Sequence, residues 1–286
     1  MNAEKLRARL DPLYRSFDLS RISPDPLEFV HIFDDPGDRE VAGLIASSLA
    51  YGRVEGIKRS IRRVLDAVEW RPWAAAVSFD ARRDAQRFEG FRHRFNDGTD
   101  IACLFRYARL MIERSGSIGG FFLEGYDPSA PNIKDALASF SRRVLALDRD
   151  GLYGDGELPP RATVRFFFPS PLDSSPCKRL NLYLRWMVRR GDSIDAGLWR
   201  DVSPSKLVVP LDTHMARICR NIGLTSRKSR DWRMAEEITD SLRALDPEDP
   251  VKYDFSICRL GILDRCPTRR SPDKCERCPI KDLCVL

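Results

Sequence analysis

The chain has 286 residues, of which 43% are hydrophobic, 31% charged and 9% aromatic, and its formal net charge is +6. This composition excludes collagen-like, low-complexity and strongly disordered classes, and the length suits one large domain or two lobes with a sizeable core. Apolar stretches such as Ala42–Tyr51 contain serines and fall far short of the ~18–20 residues that span a bilayer. The leading residues MNAEKLRARLDPLYRSFD mix both charge signs without an apolar run. That is no secretory signal, so a cytoplasmic protein with reduced cysteines is expected.

In chain order the periodicity is helical. The spacing predicts helices over Asp38–Tyr51 and Val54–Trp70, divided at Gly52, with Asp38 as the first N-cap. In the second, Ile57, Ile61, Val64, Leu65 and Val68 form one apolar face, and Lys58, Arg59, Arg62 and Arg63 lie opposite as a solvated surface. A third helix is predicted from Asp100, as N-cap, to about Ser115 with Gly116 as its stop, and a fourth over Asn132–Leu147. The Asp-, Gly- and Pro-rich stretch 148–160 reads as a loop between two lobes. Beyond it lie Ala162–Phe168, a turn-rich 169–176, and helices over about Lys178–Arg190, Thr213–Ile222, Arg230–Leu245 and Pro250–Leu263, the last with Asp249 as N-cap and Pro250 at N1. No sustained strand alternation and no internal repeat is visible. The expected architecture is all-α and two-lobed: residues 1–150, residues 151–264, and a cysteine tail over 265–286.

That tail reads C-x8-C-x2-C-x5-C, with Cys266, Cys275, Cys278 and Cys284 among prolines and cations. Four thiolates at this spacing suit a zinc ion or an iron–sulfur cluster equally, in a closed, structural site. Cys103 and Cys258 fall on apolar helix faces and read as core residues.

Two segments upstream are chemically suggestive. In Ser174-Ser175-Pro176-Cys177-Lys178-Arg179, Ser175 suits an N-cap and Pro176 N1, placing Lys178 at N3. There the positive helix end and Arg179 disfavour the ammonium, and a neutral amine is a nucleophile. The plainer reading is a surface lysine at a helix start. In Val209-Pro210-Leu211-Asp212-Thr213-His214, Asp212 is either a simple N-cap or a carboxylate held ionised by helix amides beside a cationic transition state. Residues 173–230 hold 12 Lys/Arg against 5 Asp and no Glu, which is the footprint of a phosphate-backbone binder.

A lysine after a turn, then P-L-D-T-H opening a helix, then the four-cysteine tail, resembles the helix-hairpin-helix DNA glycosylase superfamily, which includes endonuclease III and the 8-oxoguanine glycosylases. The likeness covers roughly residues 162–286, with a looser match over Asp38–Val54. It implies a two-lobed helix-hairpin-helix glycosylase-like fold. It implies Lys178 as the Schiff-base nucleophile, Asp212 as the carboxylate assisting glycosidic cleavage, and Cys266, Cys275, Cys278 and Cys284 as ligands of a [4Fe–4S] cluster, with zinc as the alternative. The expected DNA contacts are Arg53, in the turn that often carries the wedging residue in the superfamily, with Ser175, Arg179, Arg185, Arg189 and His214 in the segment of concentrated positive charge; base stacking is expected from Tyr183, Trp186 or Trp199, for which core positions are the alternative. The implied protein is a monomeric, nucleoid-associated repair glycosylase and abasic-site lyase acting on damaged duplex DNA, such as an oxidised purine. The sequence departs from the superfamily in its hairpin, where P-L-D-S-S-P has no glycine, and in the long Lys178–Asp212 interval. The missing glycines favour the rival reading, a non-catalytic nucleic-acid-binding protein that keeps the fold and cluster; the retained Lys178 and Asp212 speak against it, and the long interval bears on the shape of the pocket.

Overall fold

The computed structural model, which describes residues 3–263 and 266–285, is mostly helical, with long irregular connections over 146–177 and 189–212 broken only by short 3-10 turns. The expected junction of lobe and tail at 264–265 lies outside the described residues, as do Met1, Asn2 and Leu286. Helix α1 spans Ala3–Arg15, α2 Pro36–Ser48, α3 Val54–Ala67, α4 Pro72–Val77 and α5 Ala81–Asp84. A hairpin of β1 (Arg92–His93) and β2 (Asn96–Asp97) leads into α6 (Gly98–Ser115), α7 (Ile118–Leu123) and α8 (Lys134–Leu145). The second half holds α9 (Lys178–Val188), α10 (Thr213–Asn221), α11 (Trp232–Arg243), α12 (Asp254–Ile262) and the short α13 (Pro272–Glu276). Among the described residues no helix is long and apolar enough to cross a membrane.

The caps explain where the expected ends shift. Helix α2 starts at Pro36 because Asp35 caps it, accepting the Asp38 N–H; Asp38 instead reaches the Trp73 N–H at 2.9 Å. Asp97, not Asp100, caps α6, while Asp100 sits at N3 and completes a capping box by accepting the Asp97 N–H. Asp249 caps no helix: Arg189 binds its carboxylate, and α12 begins five residues later at Asp254.

Buried apolar side chains from Leu6 to Leu283 form one connected core, and its packing crosses the expected boundary at 148–160. Helix α2 packs along α9, closely enough that a Cβ on Gly43 would stand 2.8 Å from the Met187 methyl. Helix α1 packs on α12 and on the 281–283 turn of the tail, so the first helix and the last segments share one region. Helices α10 and α12 also pack together, with Gly261 against the His214 ring, where a Cβ would lie 2.4 Å from Nδ1. These contacts bring α9, α10 and α12 around a common space.

Candidate active site

That space is a cavity of about 640 Å³. Its walls are the first turns of α9 and α10, one face of α12, the Asp25–Pro26 turn and the turn joining α2 to α3. Lys178, Asp212, Ser175, Arg179, Arg185 and His214, separated by up to 39 positions in the sequence, all line it.

Lys178 reaches the cavity from a helix start different from the expected one. Ser175 does not cap α9. Its Oγ accepts the Cys177 N–H at 3.2 Å, Cys177 adopts left-handed backbone (φ 46°), and the helix begins at Lys178 itself. The half-buried ammonium donates to the Ala50 carbonyl, 2.9 Å away, at the end of the α2–α3 turn. Asp212 is the expected N-cap: Oδ1 accepts the Met215 N–H at 2.7 Å. Its other oxygen receives the Cys258 thiol, Sγ to Oδ2 3.5 Å. Cys258 therefore faces the cavity rather than the apolar core, and burial, with the Asp212 and Asp254 carboxylates beside it, pushes its thiol well above the ordinary range. Beside the same helix start, Arg230 donates to Thr213 Oγ1 at 2.8 Å, and His214 Nδ1 lies 3.4 Å from Arg217 Nη2.

Two further carboxylates line the cavity. Asp254, buried on α12, pairs with Arg185. Burial pushes its carboxyl up to about 6; Arg185 opposes the shift, and Asp212 and Asp195 add to it. Asp25 accepts the Leu27 N–H at 3.0 Å. Burial raises its carboxyl too, against the pull of Arg185, the Leu27 amide, Arg259 and Lys178. The only local signal for Asp25 is a cap before a proline in S-P-D-P. Nothing in periodicity joins it to residues 150 or more positions away.

Several expected contacts are corrected. Arg185 and Arg189 are 2% and 1% exposed, so neither reaches a phosphate. Arg185 is held by Asp195 and Asp254, and Arg189 by Asp192, Asp195 and Asp249. Arg179 is buried as well. It donates to the Ser48 and Phe166 carbonyls, and its guanidinium lies 3.3 Å from the Phe166 ring centroid, so its charge is met from within. Tyr183, Trp186 and Trp199 are core residues. Tyr183 donates to the Glu40 carbonyl at 3.1 Å and Trp199 Nε1 to the Glu40 carboxylate at 2.7 Å, which turns both polar edges inward. The aromatic side chains at the cavity are instead Tyr51, Phe166 and Phe255. Phe166 packs on Tyr51, with centroids 4.9 Å apart, and on the exposed hairpin residue Phe95 at 4.6 Å. Arg53 is exposed in the turn beside them.

The tail docks through buried Ile280 and Leu283, an ion pair from Asp282 to Arg9, and the Val285 N–H to the Asn221 carbonyl at 2.8 Å. Cys266, Cys275, Cys278 and Cys284 are half-buried. Burial raises the Cys266 and Cys278 thiols, and neighbouring cysteines add to both shifts. Arg217 Nη1 lies 3.8 Å from Cys266 Sγ. The donor set fits a thiolate-ligated metal or cluster, although among the described residues no three His, Cys, Asp or Glu side chains are drawn together around one ion position.

A family model described as "Protein of unknown function (DUF2400)" matches residues 25–263, a span that includes Asp25, Lys178, Asp212 and the whole of α12. The comparison with curated proteins returned no match, and neither did that with solved structures.

Proposed function

We propose that this chain, which belongs to the DUF2400 family, is a DNA glycosylase with abasic-site lyase activity on a two-lobed helix-hairpin-helix glycosylase-like fold. The observation carrying this reading is the convergence of Lys178, the one lysine in the cavity lining among the described residues, and the α10 N-cap Asp212 on one cavity. A space of about 640 Å³ lies within the usual range for small-molecule sites and accommodates a flipped nucleotide.

The chemistry follows from the side chains. A damaged base leaves the duplex stack and enters the cavity, where Tyr51 and Phe166 offer ring faces. Lys178 Nζ leaves the Ala50 carbonyl and, as the free amine, attacks C1′ of the deoxyribose. The glycosidic bond breaks, its electron pair departs with the base, and the base takes up a proton. Opening of the sugar ring then gives the imine that permits strand cleavage. Asp212, fixed by the Met215 amide and the Cys258 thiol, faces the positive charge that develops on the sugar. The four tail cysteines would hold a [4Fe–4S] cluster, or a zinc ion, whose contribution is a cross-link fastening the tail against α1 and α10.

Borohydride trapping on abasic duplex DNA tests the proposal. Wild-type protein is expected to form a covalent adduct, and Lys178→Gln to form none at equal folded fraction. On duplex DNA bearing the damaged base, Asp212→Asn is expected to slow base release by about two to four decades, the range for removing such a group. A folded wild-type protein that binds DNA without trapping would establish the non-catalytic alternative. Metal analysis tests the tail: about four irons per chain are expected, and Cys278→Ser should lose them. Stoichiometric zinc would replace the cluster in this account.

A further inference from the structure

Asp212 is poorly placed to take the lysine's proton, because Oδ1 accepts the Met215 amide and Oδ2 the Cys258 thiol. Asp25 differs. Its Oδ1 accepts the Leu27 N–H, its side chain makes no other hydrogen bond and no ion pair among the described residues, and it lines the cavity that Lys178 enters. The turn that carries it is clamped by buried Arg259, whose Nη2 donates to the carbonyls of Arg21, Ile22 and Ser23, the last at the edge of the Asp25 turn. Helix α12 thus fixes both carboxylates, Asp212 through Cys258 and Asp25 through Arg259.

We propose that Asp25 is a further catalytic residue, the general base that deprotonates Lys178, while Asp212 serves the sugar cation alone. This division of labour rests on the glycosylase–lyase reading. As Nζ swings from the Ala50 carbonyl towards the sugar, one N–H bond breaks, its electron pair stays on nitrogen, and Asp25 Oδ2 takes the proton. The amine then supplies that pair to C1′. The groups that act on Asp25 are Lys178 and Arg185 of α9 and Arg259 of α12, and its carboxylate acts on Cys258; Asp254 and Asp212 line the same cavity. Burial favours the protonated carboxyl, so the acidic limb of the reaction is expected above the ordinary carboxylate range.

The test is the single-turnover rate of borohydride-trapped adduct on abasic duplex DNA, followed across pH for wild type, Asp25→Asn and Asp25→Ser. Both substitutions keep an acceptor for the Leu27 amide, so the local turn survives, and circular dichroism sets equal folded fractions. Expected are rates lowered by about two decades near neutrality, loss of the acidic limb, a deficit that narrows as pH rises, and unchanged affinity for the duplex. A merely structural role would lower the rate equally at every pH. Wild-type trapping with unchanged rate and pH profile in both variants overturns the role of Asp25 and leaves the glycosylase–lyase reading standing. Wild-type protein that never traps overturns both.

Discussion

Arg59, Arg62 and Arg63 of α3 all lie on the solvent side of their helix, whereas Arg179 and Arg185 of α9, and Arg189 just past its end, are buried. The difference begins with the apolar pattern. Helix α3 buries one stripe, Ile57, Ile61, Val64 and Leu65, so the arginines opposite it stay wet. Helix α9 is buried on every side from Arg179 to Val188, and an arginine there has no solvent face to choose. Its charge must be met internally: Asp192, Asp195, Asp249 and Asp254 meet Arg185 and Arg189, and the Ser48 and Phe166 carbonyls meet Arg179. A run of basic residues therefore measures surface charge only where the helix has a surface. The count of cations between residues 173 and 230 overstates the charge at the surface there, since three of them are buried, whereas Arg59, Arg62 and Arg63 of α3 are exposed.

The largest test of this contrast is stability. Arg189→Ala removes the cation shared by Asp192, Asp195 and Asp249, leaving Asp195 only Arg185, and is expected to cost about 3–5 kcal/mol, as when one partner of a buried pair is removed. Arg62→Ala is expected to stay within about 0.5 kcal/mol. Urea unfolding measures both, and an Arg189→Ala protein as stable as wild type would break the comparison.

A smaller effect is the pH dependence of the α9 network. Asp254 binds its proton more tightly folded, at about 6, than unfolded, at the ordinary 3.8. Its contribution is therefore complete below pH 4 and lost as pH rises through 6. Asp254→Asn removes that term. The stability of wild type relative to the variant is expected to fall by on the order of 2 kcal/mol across this window. Thermal melts at pH 4 and 7 check the sign.

The smallest effect is on DNA. Replacing Arg59, Arg62 and Arg63 together with alanine is expected to reduce the slope of log affinity against log salt by about 2–3, if each meets one phosphate. Arg189→Ala at equal folded fraction should leave the slope unchanged. Fluorescence anisotropy at several salt concentrations separates the two outcomes, and an unchanged slope in the α3 variant would remove that face from the interface.

Local chemistry made part of this molecule readable. The helix stripes, the Asp212 cap and the chain turning into a helix beside Lys178 depend on near neighbours, and spacing records near neighbours directly. Helix ends were less legible where several aspartates competed. Asp35 and Asp38, or Asp97 and Asp100, each suit a cap, and the backbone entering the helix selects between them. The tertiary structure alone decided that Asp25 and Cys258 line one cavity with Lys178 and Asp212, and that Arg185 and Arg189 turn inward. Periodicity fixes a side chain's direction only about its own helix axis. Whether that direction ends in water, in a carboxylate cluster or in a cavity depends on which other helices pack there, and for α9 those are α2 and the segments carrying its aspartates.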